Sequence, residues 1–165
     1  MTRQAEMGAD AASGPGETID LARIMHDIPH RYPFLFLDRV VELKRDHSAI
    51  GVKNFTMNEE FFQGHFRGHP VVPAVVIIEA MAQTAAVLVV ETLGDEVANR
   101  VVYFMSVEHA KFRKPVVPGD QLRVHCTKLR NRGKYIWKFS ASARVDGVEM
   151  ASASYTAMIM EQTAG

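Results

Sequence analysis

A chain of 165 residues, 47% of them hydrophobic, has the length and apolar content of one domain with its own core. Its 19 Lys and Arg balance its 19 Asp and Glu, which excludes the global field of a nucleic-acid binder and leaves any charged partner to a local patch. The lone Cys126 excludes an internal disulfide, and in the alternating run LRVHCTKLR it reads as a strand position rather than a metal or redox motif.

The start, MTRQAEMGADAASGPGE, is small and polar with no apolar stretch of the kind a secretory signal needs. Residues 1–17 are therefore expected to be a disordered tail on a cytoplasmic protein, followed by one domain over 18–161. In TIDLARIMHDIPH, the residues Ile19, Leu21, Ile24, Met25 and Ile28 have helical spacing, with Thr18 or Asp20 as cap and Pro29 as stop. HRYPFLFLDRVVEL then turns extended, and SAIGVKNFT alternates as the second strand of a hairpin.

From Val71 to Val90 nearly every residue is apolar, long enough to suggest a membrane span. Pro73 near the start and Glu79 and Gln83 inside argue against it, since an acid at a bilayer centre costs about 2.5–3.5 kcal/mol. The pattern predicts instead a soluble helix from about Ala74 to Leu93, capped by Gly94 and apolar all round because it is buried. Four extended segments follow: RVVYFMSVEHAKF, QLRVHCTKLRN, KYIWKFSASARVD and VEMASASYTAMIM. KPVVPGD is a loop between the first two, and NRGK and VDGV are hairpin turns, so a meander of three to four antiparallel strands is expected. A long antiparallel sheet must cover its inner face, and only the 74–93 helix is apolar enough to do so. The fold class is thus α+β, a sheet wrapped around one buried helix.

Chemistry concentrates in GHFRGHPVVPAVVIIEAMAQ, residues 64–83. His69, followed by Pro70, reads as a turn residue, whereas His65 precedes the start of the helix. Glu79 shares a helical stripe with Val75, Val76 and Gln83, and a carboxylate buried there must be paired or altered in proton affinity. Free N–H groups in the helix's first turn, after Pro73, can bind a carbonyl oxygen or oxyanion. A histidine, an oxyanion donor and an acid are the parts needed to remove a proton beside a carbonyl.

Three stretches, PHRYPFLFLDRV, NEEFFQGHFRGHPVVPAVVIIEAMAQ and KFRKPVVPGDQL, together resemble the bacterial 3-hydroxyacyl-acyl carrier protein dehydratases of type II fatty acid synthesis, from about Ile19 to Met160. The resemblance implies a hotdog fold, with His65 as the catalytic histidine and Glu79 as the catalytic acid, brought together across a dimer interface. It implies that Ala74 offers its N–H to the thioester carbonyl, and that Gly64, Phe66 and Gln83 are further substrate-binding positions. Acyl carrier protein carrying 3-hydroxyacyl chains is the implied partner, and a trimer of dimers the implied assembly. No metal or organic cofactor is expected, because the thioester itself acidifies C2.

Two positions depart from the family pattern: Arg67 stands where Pro is usual, and Ala74 where Gly is usual. Aspartate at the position of Glu79 is usual in the related dehydratase–isomerases, so isomerisation is not the expected activity. Tyr103 and Phe104 read as core strand residues. The basic set Lys111, Arg113, Lys114, Arg130, Arg132 and Lys134 suits a transient contact with an acidic carrier protein. A hotdog thioesterase and a non-catalytic acyl-thioester sensor are the competing readings; the sensor would be expected to need an output domain, for which no segment stands out.

Overall fold

A computed structural model describes residues 14–160. Its elements are β1 (Glu17–Ile19), α1 (Leu21–Asp27), β2 (Arg39–Lys44), β3 (Ser48–Asn54), a 3₁₀ turn (Glu60–Gln63) and α2 (Ala74–Leu93). After a second 3₁₀ turn (Asp95–Val97) come β4 (Val102–Phe112), β5 (Gln121–Arg132), β6 (Ile136–Val145) and β7 (Val148–Ile159). One antiparallel sheet of seven strands, ordered β1-β2-β3-β5-β6-β7-β4, wraps α2, which is the expected α+β hotdog architecture.

Local chemistry sets the element ends. α2 runs from Ala74 to Leu93 as its pattern predicts, entered through Pro73 and closed by Gly94 at φ 96°, whose N–H donates to Val90 O. By length and composition it could cross a membrane, yet 72% of its apolar window is buried inside the fold. Asp20 caps α1 by accepting from Arg23 N at 2.9 Å, while Ile19, expected within that helix, belongs to β1. The tail expected over 1–17 also ends earlier, because Glu17 pairs with Leu43 of β2; residues 1–13 lie outside the described residues. At the β6–β7 turn, Asp146 and Gly147 both take positive φ, as a two-residue hairpin requires.

The meander needs one correction. β5, β6 and β7 follow one another as expected, but β4 pairs with β7 at the far edge, and β5 takes β3 as its other neighbour. With one edge unpaired among the described residues, β4 leaves Tyr103 56% exposed, with Phe104, Met105, Val107 and Phe112 also exposed. Tyr103 and Phe104 are therefore not core residues. Cys126 is, fully buried with its Sγ 3.4 Å from Tyr155 Oη, and burial pushes its thiol up to about 12.

Where β3 crosses α2 the two backbones approach closely. A Cβ at Gly51 would fall 2.1 Å from Thr84 Oγ1 and 2.8 Å from Leu37 Cδ2. Gly51→Ala should cost about 1–3 kcal/mol by overpacking, read as a lower urea midpoint at unchanged m-value. Adding Thr84→Ala should recover most of the loss.

An ionic cluster built on two buried carboxylates, Asp27 and Glu91, docks α1 on the end of α2. Arg23 contacts Glu91 at 2.7 Å, Asp95 at 2.9 Å and Asp27 at 3.3 Å. Arg45, from the β2–β3 turn, reaches Glu91 Oε2 at 3.1 Å and also binds Glu17. Burial drives Asp27 from 3.8 up to about 6, aided by the nearby Glu91 carboxylate. Burial would raise Glu91 too, but its hydrogen bonds to Arg23 and Asp27 and the charges of Arg23 and Arg45 hold it below its ordinary value.

Since folding raises the proton affinity of Asp27, this group stabilises the fold most below pH 4, and that contribution is lost as pH rises to about 6. Asp27→Asn lacks this dependence. Denaturation at pH 4.5 and 7.5 should show wild type gaining on the variant toward the lower pH; parallel changes would contradict the assignment.

Candidate active site

The His65 loop is anchored by aromatic packing and one ion pair. Phe61 lies 6.2 Å from Phe55 and 6.3 Å from Phe36, centroid to centroid, and Lys53 Nζ meets Glu59 Oε1 at 2.7 Å just before the 3₁₀ turn. The chain then folds back. Phe66 and His69 exchange backbone hydrogen bonds of 2.9 and 2.8 Å, Gly68 sits at φ 73°, and Val71 N donates to His65 O at 3.0 Å. His69 thus closes a turn, the role its sequence context suggests. The His65–Phe66 peptide is cis, and the exposed Phe66 ring stacks on His65 at 3.9 Å.

His65 Nδ1 lies 2.7 Å from Val71 O. A carbonyl can only accept, so Nδ1 carries the proton, and in the neutral ring the lone pair is left on Nε2. A cavity of about 330 Å³ is lined by His65, Ala74, Ile77, Phe112, Lys114 and Val116, among others. At its edge α2 begins. Val76 and Ile77 donate to Pro73 O, while the N–H groups of Ala74 and Val75 have no acceptor among the described residues. His65, with a lone pair on Nε2, and Ala74, at the first turn of α2, therefore line one cavity.

Glu79 does not join them. It follows Ile77 by two residues, roughly 200° around the helix, and lines a separate small cavity with His30, Ala82, Ala86, Val102, Phe104 and Ala157. No hydrogen bond or ion pair links His65 with Glu79 within this chain among the described residues. On the Glu79 face of α2, Val75 is 75% exposed.

Gln83 is 0% exposed and its amide is fully engaged. Its Oε1 accepts from Phe36 N at 2.8 Å, and its Nε2 donates to Phe34 O at 2.8 Å and to Glu79 Oε1 at 3.0 Å. Of the positions expected to bind substrate, Ala74, Gly64 and Phe66 are exposed near His65, whereas Gln83 holds the Glu79 carboxylate from beneath. His30 is the contact the sequence reading did not find: its Nε2 is 3.2 Å from Glu79 Oε1. PHRYPFLFLDRV carried His30 into view as part of a motif, but nothing in the chain's order joins it to Glu79.

The basic side chains divide. Arg113 pairs with Glu149 and Lys134 with Glu96, each at 2.9 Å. Arg130 and Arg132 line a groove of about 400 Å³ with Met105, Asn131, Ile136, Lys138 and Thr156.

Comparison with known proteins adds three findings. Residues 28–154 match the model of the FabA-like domain. The 3-hydroxyacyl-[acyl-carrier-protein] dehydratase FabZ of Acidiphilium cryptum (strain JF-5) is 68% identical over 155 residues, covering 94% of this chain and 93% of the relative. That of Paramagnetospirillum magneticum is 58% identical, covering 93% and 94%. Among solved structures, the dehydratase heterocomplex ApeI:P from Xenorhabdus doucetiae shares the fold at TM-score 0.73 and 13% identity, covering 84% of this chain and 91% of that one.

Proposed function

Because the chain belongs to the FabA-like family, among its 3-hydroxyacyl-acyl carrier protein dehydratases, and is a hydro-lyase, we propose that it converts (3R)-hydroxyacyl-acyl carrier protein to the trans-2-enoyl thioester in fatty acid elongation. The observation that carries the mechanism is the tautomer of His65 beside Ala74, whose N–H has no acceptor among the described residues. The thioester carbonyl accepts from the N–H of Ala74, whose methyl leaves that donor in place. His65 Nε2 takes a proton from C2, and the electron pair forms the C2=C3 bond. The C3–O bond breaks as the hydroxyl takes a proton from Glu79 and leaves as water. Charge developing on the carbonyl oxygen faces the positive end of the helix.

Two chains are required for this step. Within one chain His65 and Glu79 line different cavities, while the Glu79 face of α2 and the β4 edge left unpaired among the described residues present Val75, Tyr103, Met105 and Val107 to a second copy. A dimer in which His65 of one chain meets Glu79 of the other completes both sites; a trimer of such dimers is the assembly the resemblance implies. Exposed Lys111, Lys114, Arg130 and Arg132 favour docking of an acidic carrier protein, adding to its association rate more than to its affinity.

The test is direct. Incubation with 3-hydroxyacyl-acyl carrier protein and mass spectrometry of the intact carrier should show loss of one water. Free acid with unloaded carrier would make the protein a thioesterase, and an unchanged carrier would leave it a binding protein.

A further inference from the structure

As a general acid, Glu79 needs its carboxyl held in one orientation. A neutral carboxyl has one oxygen that accepts and one that bears the proton, and a general acid needs the second turned toward its target. Two nitrogens converge on a single oxygen here: Gln83 Nε2 at 3.0 Å and His30 Nε2 at 3.2 Å both meet Glu79 Oε1. The Gln83 N–H makes Oε1 the accepting oxygen, with His30 Nε2 held against the same atom, which leaves the proton to Oε2.

The segment around His30 is built to hold that ring. Arg31 donates to Met25 O at 2.7 Å, Ile28 O at 2.9 Å and His30 O at 2.7 Å, tying the turn after α1 together. Gln83 grips the same segment further on, through Phe34 O and Phe36 N. His30 Nδ1 is buried without a protein partner among the described residues. An N–H on Nδ1 would find no acceptor among the described residues, which favours placing the ring's N–H on Nε2, the nitrogen on the Glu79 side.

Resting on the reading of Glu79 as the acid, we propose that His30 is a positioning residue, which with Gln83 fixes Oε1 of Glu79 so that Oε2 carries the proton to the departing hydroxyl. His30 does not touch substrate. Its contribution passes through the rotamer and proton placement of Glu79, and therefore falls on turnover and not on substrate binding.

The experiment compares His30→Leu, His30→Gln, Glu79→Gln and the double variant His30→Leu/Glu79→Gln in single-turnover and steady-state dehydration. A glutamine amide can place an N–H donor near the position of Nε2 but cannot shuttle a proton. His30→Gln should keep kcat within about 3-fold, while His30→Leu should lower kcat by roughly 10- to 100-fold at nearly constant KM, the worth of one hydrogen bond to a charged or reacting group. In the Glu79→Gln background the leucine substitution should add less than about 2-fold.

If His30→Leu does not fold, His30→Gln decides alone: retained kcat supports the donor role, and a loss beyond about 10-fold overturns it. A full additive loss in the double variant would also overturn the proposal while leaving Glu79 as the acid. Wild-type turnover in Glu79→Gln would remove both.

Discussion

Replacing His65 by alanine is expected to lower kcat by about 10²–10⁴, the usual worth of a positioned general base, with little change in KM. The variant should fold. His65 is only partly buried, and the hydrogen bond it loses to Val71 O is worth about 1 kcal/mol. The Phe66–His69 turn and the Val71 N–His65 O bond are backbone contacts that alanine keeps. His69→Ala is the matched control, because its ring makes no hydrogen bond among the described residues and its backbone alone closes the turn. A His65→Ala protein, folded by circular dichroism and dehydrating at the wild-type rate, would remove His65 from the chemistry.

The second large effect is a gain. His65→Ala and Glu79→Gln homodimers should each be nearly inactive, but mixing them under conditions of subunit exchange should restore activity. Random exchange at equal ratio makes half the dimers mixed, and in each mixed dimer one of two sites holds both native groups. Recovery should approach about one quarter of the wild-type rate per chain. The expectation rests on a single-chain observation: Ile77 faces the His65 cavity, and Glu79, two residues on, faces the cavity with His30 and Phe104. Absence of recovery, with exchange verified by native mass spectrometry of tagged chains, would place the site within one chain.

α2 was legible to both ends because its signals are local: a proline entry, an unbroken apolar run, and Gly94 at positive φ. The hairpin turns were legible for the same reason, with Gly133 and Gly147 where the backbone needs positive φ. That the apolar helix had to be wrapped by the strands followed from its composition. His65 and Glu79 drew attention because an ionisable group is costly amid apolar neighbours unless something holds it.

The long-range pairings, β4 with β7 and β3 with β5, were not legible. β4 and β5 are both long and β-prone, and nothing within either segment says that β4 belongs beside β7 while β5 belongs beside β3; that choice is set by closing the sheet around α2. The exposure of Tyr103 and Phe104 follows from it, since an edge strand has neighbours on one side only. The contact of His30 with Glu79 spans 49 positions, as does the grip of Gln83 on Phe34. The Asp27–Arg23–Glu91 cluster likewise joins α1 to the far end of α2. Local sequence determines which backbone states and turns are cheap, and therefore gave up the central helix, the strands after β1 and the chemical character of the GHF and EAMAQ segments. Only the folded path of the backbone decides which distant side chains meet, and so it alone brought His30 to Glu79 and turned that residue away from His65 within one chain.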